Sequence, residues 1–139
     1  EVAVRVRSPI IGADYQDNLN DMSVVIKVTY GETSLLLTGD AESYAEELMI
    51  ASEKELLQAD VLKIGHHGSS TSSSQAFLDA VQPKAVVISL GKNNDYGHPH
   101  RETMQRLKKL GTAIYRTDAL GTERMLYTES EVRLLKGSK

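Results

Sequence analysis

The feature that most constrains the fold is the alternation of short apolar runs with helical patterns along the chain. The runs 33–37, 61–64 and 85–90 are rich in Val, Ile and Leu and have the length of buried strands. Between them, apolar residues recur three and four positions apart among charged ones, which indicates amphipathic helices. Upstream, 23–30 and 33–37 flank a two-residue link containing glycine and predict a β-hairpin. We therefore expect an α/β domain with helices packed against a mixed sheet.

The complete set of predicted elements follows from the same patterns. Strands are predicted over residues 2–7, 23–30, 33–37, 61–64, 85–90, 113–117, 124–127 and 131–135. Helices are predicted over the apolar positions of 44–52, 77–81 and 104–110. Serines at 72–74 are candidate N-caps for the second helix, and Gly111 is a candidate stop for the third.

Composition narrows the function classes. The chain has 139 residues, the size of one domain, and a net charge of −3, which argues against general nucleic-acid binding by its whole surface. It has no cysteine, so disulfides, thiolate metal sites and cysteine nucleophiles are excluded. No run approaches the roughly 20 apolar residues of a membrane span. Since Glu1 is not a natural start, we expect the chain to be part of something longer.

All four histidines fall in two tight clusters, and each cluster follows a predicted strand. His66 and His67 lie between glycines after the strand 61–64, and His98 and His100 flank a proline after the strand 85–90. Asp40 similarly follows 33–37. Imidazole and carboxylate are common ligands of Zn²⁺ and its neighbours, and loops at strand ends are where such ligands are presented. The pattern indicates part of the site of a metal-dependent hydrolase.

Several alternatives remain for individual residues. Asp40 could cap the helix that follows it, and we favour a ligand that also anchors that helix. In an extended backbone adjacent histidines point apart, so one of His66 and His67 would face a metal while the other donates an orienting hydrogen bond. His98 is the stronger ligand candidate, because His100 could simply be exposed helix surface.

Two further polar residues are weaker candidates. Ser69 opens a serine-rich segment that has neither a phosphate-binding lysine nor a Gly-x-Ser-x-Gly motif, so it is expected to cap a helix or to hydrogen-bond a substrate. Asp118 follows a predicted strand as Asp40 does, but a turn carboxylate before Gly121 is an equally good interpretation.

Five motifs in chain order resemble a known family. They are Asn20 to Val25, Leu37 to Asp40, Asp60 to Lys63 with the following His66 to Ser69, Gly91 to His100, and Tyr115 to Asp118. Together they are similar to the carboxy-terminal metallo-β-lactamase-like domain of the ComEC family of bacterial DNA-uptake channel proteins. The likeness runs through residues 2–127.

This resemblance implies a fold, a cofactor and an activity. The implied fold is the αββα metallo-β-lactamase sandwich, with one or two divalent ions, Mn²⁺ or Zn²⁺. The implied activity is a nuclease that degrades the non-transported DNA strand during natural transformation, so single-stranded DNA is the expected substrate. The implied location is an extracytoplasmic domain of a bacterial plasma-membrane protein.

The resemblance also assigns roles to residues. Asp40 matches the aspartate whose oxygens can join two cations, and His98 matches the region of a late metal histidine. His66 matches either a metal ligand or a histidine that assists phosphodiester cleavage. Asn20 lies where many relatives place another metal histidine.

One expected motif is absent. Nothing in the chain matches the His-x-His-x-Asp-His motif of the family's amino-terminal half, so residues 1–139 are expected to be mainly the carboxy-terminal half of the domain. Asp40, His66 and His98 could not fill two coordination spheres without further ligands. We therefore expect this chain to be inactive or very weak by itself, and its uncovered surface to favour self-association.

Two other functions fit the same sequence. A hydrolase of this fold could act on a different substrate, since a fold does not determine a function. Alternatively, the chain could be a non-catalytic DNA-binding or assembly module. In that case four basic residues are expected to form a lip beside the histidine loops: Lys63, Lys92, Arg101 and Lys108.

Overall fold

The fold is a six-stranded mixed sheet with helices on one face, in a computed structural model that describes residues 1–135. The strands are β1 (Val2–Ser8), β2 (Val25–Tyr30), β3 (Thr33–Leu37), β4 (Val61–Lys63), β5 (Ala85–Ile88), β6 (Ala113–Arg116), β7 (Arg124–Tyr127) and β8 (Val132–Leu135). The helices are α1 (Ser43–Glu53), α2 (Gln75–Val81), α3 (Arg101–Leu110) and the short α4 (Thr117–Leu120), with single 3₁₀ turns at Lys54–Leu56 and Gly65–Gly68.

The sheet order follows the chain, β1-β2-β3-β4-β5-β6. The first three strands are antiparallel, which confirms the predicted hairpin, and β3 through β6 run parallel. The predicted α/β class with a mixed sheet is therefore confirmed. Because parallel strands share a direction, the segments leaving β3, β4 and β5 all emerge at one edge of the sheet.

Two predicted strands are shorter than expected by two residues, because polar side chains end them. The strand predicted to start at residue 23 starts at Val25, since the Ser23 hydroxyl accepts a hydrogen bond from the Asp40 backbone. The strand predicted to reach residue 90 ends at Ile88. The Leu90 backbone N–H donates to the Thr117 hydroxyl, which in turn donates to the Leu90 carbonyl oxygen.

The core lies between the sheet and helices α1, α2 and α3. Leu36, Leu62 and Val86 are aligned across β3, β4 and β5 and are completely buried. Phe77 of α2 and Leu107 of α3 join the same cluster. Burying this apolar row against the helices is what holds the carboxyl edge of the sheet in register.

The opposite face of the sheet is only partly covered. The hairpin β7–β8 forms a separate two-stranded sheet, joined to β3 by a hydrogen bond from the Thr33 hydroxyl to the Thr128 carbonyl. On β1, Val2, Val4 and Val6 remain 57–62% exposed. Within residues 1–135, no helix combines the length and the hydrophobicity needed to cross a bilayer.

Candidate metal centre

The candidate site lies at the carboxyl edge of the sheet, where three loops converge. Asp40 follows β3, His66 and His67 follow β4, and His98 lies in the loop between β5 and α3. A hydrogen bond from the His66 backbone to the Gly39 carbonyl joins the first two loops. The structure thus brings together residues that are far apart in sequence.

The backbone of the histidine pair is left-handed rather than extended. His66 has φ 44° and ψ 46°, and His67 has φ 53° and ψ 24°. The expectation that the two side chains point apart was therefore wrong, because it assumed an extended backbone. In this tight turn both rings face the same region, with their centroids 6.5 Å apart.

Gly68 allows the two histidine loops to pack against each other. Its φ is +86°, and an added Cβ would lie 2.7 Å from the Cβ of Pro99. The Gly68 carbonyl also accepts a hydrogen bond from the His100 backbone. A residue without a side chain is required here by both backbone conformation and space.

His67 presents its Nε2 to Asp40. Its Nδ1 lies 2.6 Å from the Ser89 carbonyl oxygen, which can only accept, so the proton is on Nδ1. In the neutral ring Nε2 then carries a lone pair, and it lies 3.5 Å from Oδ1 of Asp40. Two acceptors that face each other at this distance can share a cation, either a proton on Nε2 or a metal ion.

His66 is oriented by a carboxylate that the sequence interpretation missed. Its Nδ1 donates to Oε1 of Glu42 at 2.9 Å, which leaves Nε2 without a hydrogen bond among those of residues 1–135. A carboxylate behind a histidine is a common arrangement at metal sites, because it sets the tautomer and raises basicity. The sequence signal was present, since Glu42 follows Asp40 by two residues.

Glu42 is itself held by several donors. Thr71, Asn18 and Asn20 all donate side-chain hydrogen bonds to it, at 2.7–3.3 Å. Burial alone would raise the pKa of Glu42, but these bonds and the one from His66 hold its pKa below the usual range. Asn20 therefore lies at the site and contacts it through Glu42.

His98 lies at the centre of the aromatic cluster. Its ring centroid is 5.6 Å from that of His66 and 6.4 Å from that of His67. Burial lowers the pKa of His98, and the neighbouring imidazoles lower it further. The lowered pKa keeps His98 in the neutral form that a metal ligand requires.

Both ring nitrogens of His100 form hydrogen bonds to backbone groups. Its Nδ1 accepts a hydrogen bond from the Ser70 backbone at 2.9 Å, so the proton is on Nε2. That Nε2 donates to the Tyr96 carbonyl oxygen at 3.1 Å. Both nitrogens are occupied, so His100 joins the two loops and has no lone pair left for a ligand.

Asp40 does not cap α1, so that part of the expectation was wrong. Two backbone amides at the start of the helix donate instead to Oδ1 of the buried Asp21: that of Glu42, which precedes α1, at 2.9 Å, and that of Ala45 in the first turn, at 3.1 Å. A cap supplied from another segment leaves the Asp40 carboxylate free for other contacts. Only the tertiary structure could assign this cap, because Asp21 is about twenty residues away in sequence.

The two remaining candidates, Ser69 and Asp118, make contacts within their own segments. Ser69 is buried and bonds the Thr71 hydroxyl within its own loop. Asp118 forms a two-bond ion pair with Arg116, at 3.0 and 2.6 Å. In the described part of the chain, no hydrogen bond or ion pair joins Asp118 to a histidine.

The predicted basic lip is incomplete. Lys92, Arg101 and Lys108 are exposed. Lys63 instead turns inward and donates to the carbonyl oxygens of Gly39 and Ile64, at 2.9 and 3.0 Å. Burial lowers the pKa of Lys63. Lys63 therefore supports the Asp40 loop rather than a DNA-facing surface.

The donor set suits a divalent ion but is not complete. Unprotonated imidazole nitrogens and a carboxylate are appropriate ligands, and His67 Nε2 and Asp40 Oδ1 lie close enough to share a cation. Within residues 1–135, however, no three His, Asp or Glu side chains form a metal-ligand group.

The family model described as Metallo-beta-lactamase superfamily matches residues 20–92. That span contains the Asp40 and His66-His67 loops and the strands that position them. The chain therefore belongs to the metallo-β-lactamase superfamily.

Similar proteins carry competence-related names. The chain is 41% identical to ComE operon protein 3 of Bacillus subtilis over 108 residues, which are 78% of this chain and 14% of that protein. It is 41% identical to Competence protein ComA of Neisseria gonorrhoeae over 102 residues, 73% of this chain and 15% of the relative. It is 37% identical to Recombination protein 2 of Haemophilus influenzae over 115 residues, 83% of this chain and 14% of the relative.

These similarities confirm the predicted resemblance to the ComEC family. The chain spans only about one seventh of the length of these relatives. The activities of the whole relatives therefore do not transfer directly to this chain.

Proposed function

We propose that this chain is part of a divalent-metal-dependent phosphodiesterase that cleaves single-stranded DNA during DNA uptake. The observation that carries the proposal is the cluster in which His67 Nε2 and Asp40 Oδ1 face each other at 3.5 Å beside His66 and His98. The competence names of the relatives support DNA as the substrate class.

Each residue has a distinct part in the proposed chemistry. Asp40, His98 and, in place of the predicted His66, His67 would each contribute a ligand to a Mn²⁺ or Zn²⁺ ion, with further ligands from elsewhere in the parent protein. When bound, the ion supplies Lewis-acid polarisation and neutralises charge on a phosphodiester. His66 keeps Nε2 available while Glu42 holds its other nitrogen. Its proposed role is to exchange a proton with a substrate oxygen.

The whole-protein context is part of the proposal. The parent is proposed to be a membrane DNA channel whose metallo-β-lactamase domain is extracytoplasmic. Residues 1–139 would bind metal weakly and cleave DNA slowly, if at all, until further ligands complete the site. The uncovered sheet face is proposed to favour self-association of the chain.

The test uses the complete metallo-β-lactamase-like domain of the parent protein. We expect Mn²⁺- or Zn²⁺-dependent cleavage of a labelled single-stranded oligonucleotide, abolished by Asp40→Ala and by His67→Ala. The matched control is Asp14→Ala, which removes an exposed carboxylate elsewhere. Cleavage of another ester or lactam in place of DNA, or DNA binding without metal-dependent cleavage, would reject the proposed activity.

Cleavage by the chain of residues 1–139 should be compared in the same assay. A rate equal to that of the complete domain, with loss on Asp40→Ala, would contradict the proposed need for additional ligands.

A further inference from the structure

An exposed aromatic ring borders the candidate metal centre. Tyr96 is 78% exposed, whereas Tyr44 is the next most exposed aromatic residue within 1–135, at 36%. The ring of Tyr96 opens onto a cavity of about 320 Å³, whose wall also contains His67, His98 and Leu90. This volume is at the lower end of the range for small-ligand sites.

The loop that carries Tyr96 is held by hydrogen bonds, and the Tyr96 ring stacks on a neighbouring imidazole. The ring stacks on that of His98, with centroids 5.7 Å apart and an interplanar angle of 21°. The Tyr96 carbonyl accepts the hydrogen bond from His100 Nε2. Asn94 closes the same loop by donating to the His98 carbonyl and accepting from the His98 backbone.

An exposed ring that stacks on a site histidine and lies on a hydrogen-bonded loop is not part of the core packing. A core residue would be buried, and a mobile surface tyrosine would lack the hydrogen bonds that hold its backbone. Planar rings held beside a phosphate-directed site are suited to stacking with nucleobases, which present a π-face whatever their sequence.

We propose that Tyr96 and the adjoining cavity form a stacking platform for one nucleobase of the substrate, next to the scissile phosphate. The inference rests on the proposed function and adds a preference for single-stranded over duplex DNA. A base can stack on Tyr96 only when it is free of its duplex neighbours, so the platform favours single strands over duplex. Tyr96 acts as a positioning residue, since it would hold a base rather than the reacting atoms.

Binding without cleavage tests the platform directly. The 139-residue chain, kept free of metal by a chelator, is titrated into a fluorescent oligothymidine of about ten nucleotides. A parallel titration uses an abasic strand of equal length, which has the same phosphates and no bases. We expect the oligothymidine to bind between about 5- and about 150-fold more tightly, which is the range for one stacked base.

Three variants identify the group responsible. Tyr96→Ala should remove the advantage of oligothymidine over the abasic strand, and Tyr96→Phe should retain it, because Phe keeps the ring. Leu56→Ala, which truncates a 46% exposed side chain beyond the far end of α1, should leave it unchanged. Because Tyr96 is exposed, none of its variants is expected to unfold the chain.

A covalent readout makes the assignment specific. A strand carrying 5-iodouracil, irradiated in the complex, should crosslink to the peptide that contains Tyr96. Equal binding of both strands by the wild type, or a base advantage that survives Tyr96→Ala, would overturn the platform. So would a change in self-association on Tyr96→Ala with unchanged base preference, since that assigns the ring to a protein contact.

The platform and the proposed function can fail separately. If the complete domain does not cleave DNA but the base advantage depends on Tyr96, the platform holds and the activity fails. If cleavage depends on Asp40 while oligothymidine and the abasic strand bind equally, the activity holds and the platform fails.

Discussion

At the scale of single residues, two adjacent histidines have different partners because of their backbone. The left-handed turn at His66 and His67 directs one ring toward Glu42 and the other toward Asp40. The residue types and their position after β4 were visible in the sequence. Which histidine meets which carboxylate was not, because Glu42 and Asp40 lie more than twenty residues away and meet the histidines only through tertiary packing.

The carboxylate behind His66 leads to a first prediction. Glu42→Gln should lower the rate of DNA cleavage by the complete domain about 10- to 100-fold, because a neutral amide holds the His66 tautomer less strongly. The oligonucleotide cleavage assay measures this. Glu47→Gln on the exposed side of α1 is the matched control and should leave the cleavage rate unchanged. A wild-type rate in Glu42→Gln would show that His66 needs no carboxylate partner.

At the scale of elements, the contact between the two histidine loops depends on one glycine. Gly68→Ala would place a Cβ 2.7 Å from Pro99 at a φ of +86°, so the loops must separate or the backbone must change. We expect the free energy of unfolding to fall by about 1–3 kcal/mol. The DNA crosslink to Tyr96 and the DNA cleavage by the complete domain should also weaken. Urea unfolding measures the first effect.

Gly91→Ala provides the control for that substitution. Gly91 lies in the β5–α3 connection, as Pro99 does, and an added Cβ there meets nothing within 4 Å. It should change stability by much less. Equal losses in both variants would mean that the Gly68 contact is not special.

The opposite end of the sheet is held by an ion pair that makes stability depend on pH. Asp60 accepts from the backbone and hydroxyl of Ser34 on β3, at 2.8 and 3.2 Å, and pairs with Lys84 before β5, at 2.7 Å. Burial alone would raise the pKa of Asp60, but these partners outweigh it and hold the pKa below the ordinary value of 3.8.

Because the pKa of Asp60 is lower in the folded than in the unfolded chain, the ionised carboxylate stabilises the fold above pH 3.8. This stabilisation is lost as the pH falls through the folded pKa. Wild-type chain should therefore lose more stability than Asp60→Asn between about pH 5 and about pH 3. Urea unfolding at both pH values tests this, with the exposed Asp17→Asn as control. Parallel losses in wild type and Asp60→Asn would contradict the assignment.

At the scale of the whole molecule, the sheet has one covered face and one that is partly open. Helices α1 to α3 cover the side of Leu36 and Leu62, whereas the valines of β1 are exposed on the other side. Among residues 1–135, β1 is also an edge strand, so the backbone groups along its outer side have no partner strand there. An exposed apolar edge of this kind favours association between copies.

We predict that Val4→Lys reduces self-association of the chain. Val4 is 61% exposed at the middle of β1, and a charge there would oppose pairing of two such surfaces. Sedimentation velocity over a concentration series measures the change. Ile11→Lys adds the same charge at a fully exposed loop position and should have little effect. A wild-type chain that stays monomeric throughout would reject the prediction.

Sequence alone determined the order and type of most elements, because strand and helix patterns are local properties of apolar spacing. It also determined the family resemblance and the edge of the sheet at which Asp40 and the histidines collect, since both follow from short motifs after apolar runs. The tertiary structure decided what depends on distant neighbours: the cap of α1 by Asp21, the carboxylate behind His66, and the occupied nitrogens of His100. Those contacts join segments tens of residues apart, and hydrogen-bond partners at that separation are set by packing rather than by local pattern.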